Sequence, residues 1–537
     1  MRRDRPNVLW ISLEDTSPRF GCYGDPVART PNLDRLAAEG CRFPNAFSTA
    51  GVCAPSRSAI ITGMYQTAIG THHMRTTHTN PATPGLPTPY WAVIPHYVKC
   101  FPEYMRAAGY FCTNNFKTDY QFAPPLTAWD ACCKGAHWRE RPGDQPFFAV
   151  FNLDVTHESG MWTDRGAPMT DPDSMKLPPY LPDTPECRQA LARQYDHIAE
   201  NDAHAGDLLR ELEQDGLADN TIVFIWSDHG EGLPRAKRWL YDGGLRVPLI
   251  VRWPGHIAPG SVDERLVSMV DLGPTVLSLT RIPIPWHMQG QPFIGPPAAE
   301  RQYIYAARDR CDESYDMVRG VRDRRYKYLR NYRPDMPRLP WVPYANRHPV
   351  MREIWRRYLA DELKGSQRWF AETTRPVEEL YDIATDPHEL TNLAADPAHR
   401  DVLERMRGAL DEWRSAVGDM GVYDELQMKH YWYPGESQPR TEPVVFVPLT
   451  PDADGVETRA GGRLQSPAAI QLHSATQGAS VAYGVGEPEG GRWLLYTGPI
   501  RLGEGVTKIR AKAVRIGYAE SSETEAIFDS RGYGGAG

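Results

Sequence analysis

A chain of 537 residues is too long for one small hydrophobic core and implies two to four domains with enough apolar interior to build a deep pocket. Its net charge of −8, with acids and bases interspersed, supplies no broad basic field, so nucleic acid and anionic membrane surfaces are not expected partners. The cysteines, nine in number and scattered, show no paired zinc spacing, which argues against both a disulfide scaffold and a structural metal knot.

The start, MRRDRPNVLW, runs from charged residues straight into a strand-like segment without the apolar stretch and cleavage site of a secretory leader. A cytoplasmic protein is the expectation for the chain as given, and a periplasmic or secreted one if a leader has been removed. No run is long and apolar enough to span a bilayer.

Three apolar runs share one design. NVLWIS (7–12) leads to Glu14 and Asp15, FFAVFNLD (147–154) to His157, and TIVFIW (221–226) to Asp228 and His229. Runs without polar alternation suit strands covered on both faces, as in a mainly parallel sheet flanked by helices. Ligands of such sheets bind beyond the carboxyl ends of the strands, so these polar groups are expected on one rim.

Between the second and third runs, residues 190–217 carry Tyr195, Ile198, Asp202, Ala205, Leu209 and Leu212 at helical spacing, ending near Gly216. PLIVRWPG (248–255) reads as a further strand and turn, and LVSMVDLGPTVLSL (266–279) as a connection entering a helix. From VRGVRDRRYKYLRNY (318–332) onward the pattern becomes antiparallel, followed by a helix with Val402, Leu403, Met406, Leu410 and Trp413 on one side. After about residue 440, SPAAIQLHS, GASVAYGV, RWLLYTGPIRL and TKIRAKAVRIGY read as short strands of a β-sandwich, and the closing RGYGGAG as a disordered tail. The expected domains are an α/β domain over 1–320, a smaller α+β subdomain over 321–440, and a β-sandwich over 441–537.

The chemistry lies in GVCAPSRSAIITG (51–63). Pro55 suits a first helical turn, and a helix starting here turns its free N–H groups and positive end toward Cys53, favouring an anion there. Cys53, Pro55, Ser56, Arg57, Thr62 and Gly63 fit the C-x-P-S-R-x-x-x-x-T-G signature, and in this the chain resembles the type I, formylglycine-dependent sulfatases. SDHG (227–230), then Lys237 and Tyr241 at the family's K-x-x-x-Y spacing, extend the likeness, as does LYDIATDPHELTNL (380–393).

The resemblance implies an alkaline phosphatase-like α/β fold and hydrolysis of a sulfate ester, or N-sulfate, of a carbohydrate or aryl substrate. It implies that a maturation enzyme oxidises Cys53 to formylglycine, the nucleophile. It also implies a divalent cation, calcium in most relatives with magnesium or manganese as alternatives, held by Glu14, Asp15, the modified Cys53, Asp228 and His229. Clustered carboxylates suit such a hard cation, which would offset the repulsion between the adjacent acids. Two positions depart from the family: Glu14 stands where Asp is common, and His229 where Asn is common.

By the same resemblance Arg57 supports the nucleophile, Lys117 (in NNFKTDY) and Lys237 hold the sulfuryl oxygens, and His157 protonates the leaving group. Asp119 occupies a position where His is usual, and could select a cationic or hydroxylated group. His72 and His73 (in GTHHMRT) are expected to line the pocket, with Arg246 on the substrate side or supporting its loop. The last hundred residues resemble the C-terminal module of chitobiases and hexosaminidases. Two other functions share these features: a phosphonate monoester or phosphodiester hydrolase on the same fold, and a carbohydrate-binding pseudoenzyme. The oligomeric state is open.

Overall fold

The computed structural model describes residues 5–78, 89–163, 165–296, 300–451, 457–486 and 492–532. The chain forms two compact units. One comprises Met1–Leu86, Asp119–Gln121 and Val150–Val422, the other Pro87–Thr118, Phe122–Ala149 and Tyr423–Gly537.

The first unit carries the central sheet, in the order Ser261–Val262, Cys41–Arg42, Leu249–Arg252, Thr221–Ser227, Asn7–Leu13 and Phe147–Leu153, the last belonging here from Val150 onward. Every residue of Asn7–Leu13 and Thr221–Ser227 is buried, as expected of strands covered on both faces. Their parallel register pairs Asn7 with Thr221 and Leu13 with Ser227. Glu14 and Asp15 therefore leave the sheet beside Asp228 and His229. Leu249–Arg252 runs antiparallel to Thr221–Ser227, a reversal that residue pattern alone does not reveal.

Helix Pro185–Gln214 follows strand Phe147–Leu153 and precedes Thr221–Ser227 in the chain, with Thr184 accepting a hydrogen bond from the Cys187 N–H (3.4 Å) and Pro185 at its first position. Its end leads to Gly216, whose φ of +67° suits a chain reversal. Two polar residues on its buried face grip the catalytic rim: Gln194 donates to the carbonyls of Asp15 (3.3 Å) and Thr156 (3.1 Å), and Asn201 to that of Leu153 (3.4 Å).

Ile304–Arg308, Val318–Arg322, Tyr326–Asn331 and Glu378–Asp382 form the antiparallel sheet foreseen in the sequence. Helix Arg400–Val417 buries Leu403, Met406, Leu410 and Trp413 in one cluster with Val321, Tyr328 and Leu380.

In the second unit, a three-stranded sheet (Val445–Leu449, Ala468–His473, Ile500–Leu502) and a five-stranded one (Gly461–Gln465, Thr524–Arg531, Gly505–Val514, Ser480–Val485, Leu494–Leu495) share a core including Phe446, Ile470, Ile509 and Phe528. The supposed tail begins inside a strand, because Arg531 pairs with Gln465; its residues 533–537 lie outside those described. This sandwich is tied to chain more than 300 residues earlier within the same unit. Arg515 Nη2 donates to the Ile94 carbonyl (2.7 Å), Arg106 Nη2 to that of Trp493 (2.6 Å), and Asp130 pairs with both Arg106 (2.9 Å) and Arg492 (2.8 Å).

Candidate active site

Helix Cys53–Thr62 is buried along its whole length and starts at Cys53 itself, after Val52 in extended backbone. Gly63, φ +66°, stops it. Such a helix has no solvent face. Its polar side chains must find partners inside, and Arg57 does so from the second turn. Nε donates to Asp228 Oδ2 (3.2 Å), Nη1 to Asn152 Oδ1 (2.9 Å), and Nη2 pairs with Glu14.

Around Cys53 the strand ends converge. Cys53 Sγ lies 3.3 Å from His229 Nε2, which lies 3.0 Å from Asp15 Oδ1. Asp228 Oδ1 accepts from the backbone N–H groups of His229 (3.0 Å) and Asp15 (3.3 Å). Asp15 has a φ of +46°, a left-handed conformation uncommon outside glycine and one that clusters at functional sites.

Asp15, Cys53, Asp228 and His229 each present one ligand atom, all within 4.8 Å of one another and all buried. The fit to a cation is chemical as well as spatial. Asp15 Oδ1 is buried with His229 Nε2 3.0 Å away, and His229 Nδ1 faces the Gly230 carbonyl at 3.0 Å, which fixes the ring so that Nε2 points into the cluster. A second grouping of Glu14, Asp15, Cys53 and His157 overlaps the first, but there Glu14 is engaged by Arg57. Burial tends to raise the Asp15 carboxyl, yet the charges of Lys237, His157 and His229 hold it well below the usual range. His229 is held well above the usual imidazole range: burial lowers it, and the charges of Asp228 and Asp15 outweigh that effect.

Lys237 joins the cluster to the leaving-group side. Its Nζ lies 2.6 Å from Asp15 Oδ2 and 3.3 Å from His157 Nε2. Ser159 steadies the other ring nitrogen of His157, its Oγ at 2.9 Å from Nδ1.

Several residues here were not singled out in the sequence. Glu158 donates its N–H to Asp15 Oδ2 (2.7 Å) and takes Arg238 on both carboxylate oxygens (3.0 and 2.6 Å). Its carboxyl is pulled down to about 2; burial would raise it, and Arg238 and Lys237 prevail. Half-buried Trp162 and Tyr344 meet edge to face at 5.5 Å between ring centroids, with Tyr344 6.5 Å from the His157 ring. Adjacency to His157 and Lys237 was the available clue for Glu158 and Arg238; none existed for Trp162, Tyr344 or Gln194.

The remaining expected site residues are found as follows. His72 and His73 are buried, their rings 4.2 Å apart, and His73 Nδ1 accepts from the Arg310 N–H (3.3 Å). Burial holds His73 well below the usual imidazole range. Arg246 Nε donates to the Pro44 carbonyl (3.0 Å), bracing its own loop. The charge of Asp119 reaches Arg57 and Arg75. Lys117 follows strand Phe111–Asn115 in the second unit, where its carbonyl accepts from Asn114 Nδ2 (3.2 Å).

A sequence model of the sulfatase family matches residues 6–121 and 133–282. An ulvan-active sulfatase of Formosa agariphila is 39% identical over 559 residues, spanning 96% of this chain and 90% of that protein. The chain belongs to the sulfatase family. As a sulfatase it is a sulfuric ester hydrolase, and its mixed α/β fold with a large, mainly parallel sheet is the family's. Residues 230–337 also match the C-terminal model of N-sulphoglucosamine sulphohydrolase, and the enzyme of that name from Homo sapiens is 28% identical over 474 residues, covering 78% of this sulfatase and 92% of its own length. A solved structure in complex with its substrate D-glucosamine-2-N,6-O-disulfate has the same fold, with a TM-score of 0.57 at 18% identity over 78% of this chain and 100% of that one.

Proposed function

We propose that this sulfatase removes sulfate from a sulfated carbohydrate, with ulvan fragments as the first substrate class. The observation that carries the proposal is the buried convergence of Asp15, Cys53, Asp228 and His229, with Lys237 2.6 Å from Asp15. The ulvan-active relative and the half-buried Trp162 and Tyr344 beside His157 support a sugar, whose C–H faces suit aromatic rings.

Asp15, Asp228, His229 and the side chain at position 53 would hold a divalent cation, with Glu14 alongside; calcium is the proposed ion, the carboxylates suiting it. When bound, that ion supplies concentrated positive charge against the sulfate oxygens. Formylglycine at Cys53 supplies an oxygen nucleophile that a thiol lacks, and a maturation enzyme is its proposed source.

The remaining chemistry belongs to the chain's own groups. Lys237 Nζ, between Asp15 and His157, is placed to bind a sulfuryl oxygen as charge moves toward the leaving group. His157 Nε2 delivers the proton to the departing alcohol oxygen, its ring held by Ser159. Arg57 pairs with Asp228 and Glu14 and holds them in place, and burial keeps water from competing. Lys117 is proposed as a second sulfate-holding lysine on the strength of its motif. Residues 441–537 are proposed as an accessory module of the chitobiase type, which their two-sheet sandwich supports.

The test is parallel turnover of ulvan oligosaccharides, an aryl sulfate and an aryl phosphodiester by protein whose Cys53 peptide has the mass of formylglycine. Sulfate release, abolished in Cys53→Ala, is expected; a phosphodiester preference of orders of magnitude would reverse the assignment.

A further inference from the structure

We propose that the cavity beside Lys237 is a subsite for a second anionic group of the substrate, a carboxylate or another sulfate, anchored by Arg308. The proposal rests on the carbohydrate reading above and extends it to what the sugar must carry.

The cavity is small, about 50 Å³, and shares Lys237 and Glu158 with the site around Cys53. Arg235, Lys237, Arg238 and Arg308 line it, against the single carboxylate of Glu158. That carboxylate is already committed to Arg238, and lies 3.2 Å from Lys237. Arg308 is only partly compensated. Its Nε is 3.2 Å from Asp316 Oδ2, but Arg375 Nη1 already donates to both oxygens of Asp316, at 2.8 and 2.7 Å. Two arginines thus face one buried carboxylate, leaving a surplus positive charge.

The Arg308 side chain is only 3% exposed, yet neither Nε nor Nη1 has a hydrogen-bond partner among the described residues. Buried unmatched donors are costly, and a charged group amplifies the cost. The guanidinium sits over the Trp239 ring, its Cζ 3.9 Å from the ring centroid, a cation–π contact that holds the donor fork at this wall. A planar, preorganised fork with unfilled N–H groups at the wall of a cavity fits an oxyanion, which can accept two of them at once. Sharing Lys237 with the Cys53 site puts this anion on the same substrate molecule as the scissile sulfate.

The experiment uses three disaccharides with one common scissile sulfate: a uronate-bearing form, its carboxyl-reduced counterpart, and a form with a second sulfate in place of the carboxylate. Arg308→Met is expected to raise KM about ten-fold for the anion-bearing probe that the subsite takes, with partial recovery in Arg308→Lys and little change for the carboxyl-reduced probe. The probe affected identifies the anion. Equal effects on all three, or none, overturn the proposal. Calorimetric binding of the same probes to Cys53→Ala, with and without Arg308→Met, gives a readout independent of turnover, and melting curves confirm that each variant is folded. Arg308-dependent binding without sulfate release from any probe would leave the subsite standing and remove the proposed substrate class; binding that ignores Arg308 removes the subsite whatever the turnover.

Discussion

Arg57 holds two buried carboxylates at once, so its replacement is more than the loss of one contact. Arg57→Ala leaves Glu14 and Asp228 facing each other without their shared cation, and about 3–5 kcal/mol of stability should disappear in denaturant unfolding. Adding Glu14→Gln to that variant should restore part of the loss, because one of the orphaned charges is removed. His348 offers a separate pH signature. Burial pushes its imidazole down to about 4, so the folded state stays neutral while the unfolded chain takes up a proton near the ordinary value of 6.5. Its contribution is present above pH 6.5 and is lost as pH falls toward 4, by about 3 kcal/mol in all. Comparing His348→Gln with the parent across that window, by unfolding free energy, should show the variant's acid slope reduced by this amount.

Among the loops, the approach of residue 51 to residues 238 and 239 decides whether two catalytic groups meet. Gly51 accepts the Arg238 N–H (2.6 Å), and a Cβ at position 51 would collide with the Trp239 carbonyl oxygen. Gly51→Ala should therefore shift Lys237 from Asp15 and His157. A fall in kcat of about 100-fold, with only a small drop in melting temperature, is the expected result in steady-state assays. The elements themselves were largely legible. NVLWIS and TIVFIW declared buried strands by their unbroken apolar character, and Pro55 declared a helix start. Strands Gly461–Gln465 and Thr524–Arg531 were missed because their sequences mix polar residues into a half-exposed surface, and Val445–Leu449 because Pro448 interrupts its short apolar run.

The second unit joins Pro87–Thr118 and Phe122–Ala149 to the C-terminal sandwich, and its ion pairs run between them. Deleting residues 441–537 would take the Trp493 carbonyl from Arg106, Arg492 from Asp130 and Arg515 from the Ile94 carbonyl. Such a truncation should give aggregated or poorly soluble protein, read by gel filtration, rather than a trimmed active enzyme. A clean monomer with full activity would show that the sandwich is dispensable.

What the sequence determined alone was the set of groups at strand ends and in the Cys53 motif: Glu14, Asp15, Cys53, Arg57, Asp228, His229, Lys237 and His157. Short-range constraints write these positions, since a strand end, a helix start or a fixed spacing each needs particular residue types nearby. The burial of His72 and His73, the grip of Gln194 on Asp15, the Glu158–Arg238 pair and the unmatched Arg308 were decided only by tertiary structure. Each depends on a partner from a distant stretch of chain, and a lone polar residue has the same local pattern whether it ends in solvent or beside a buried charge.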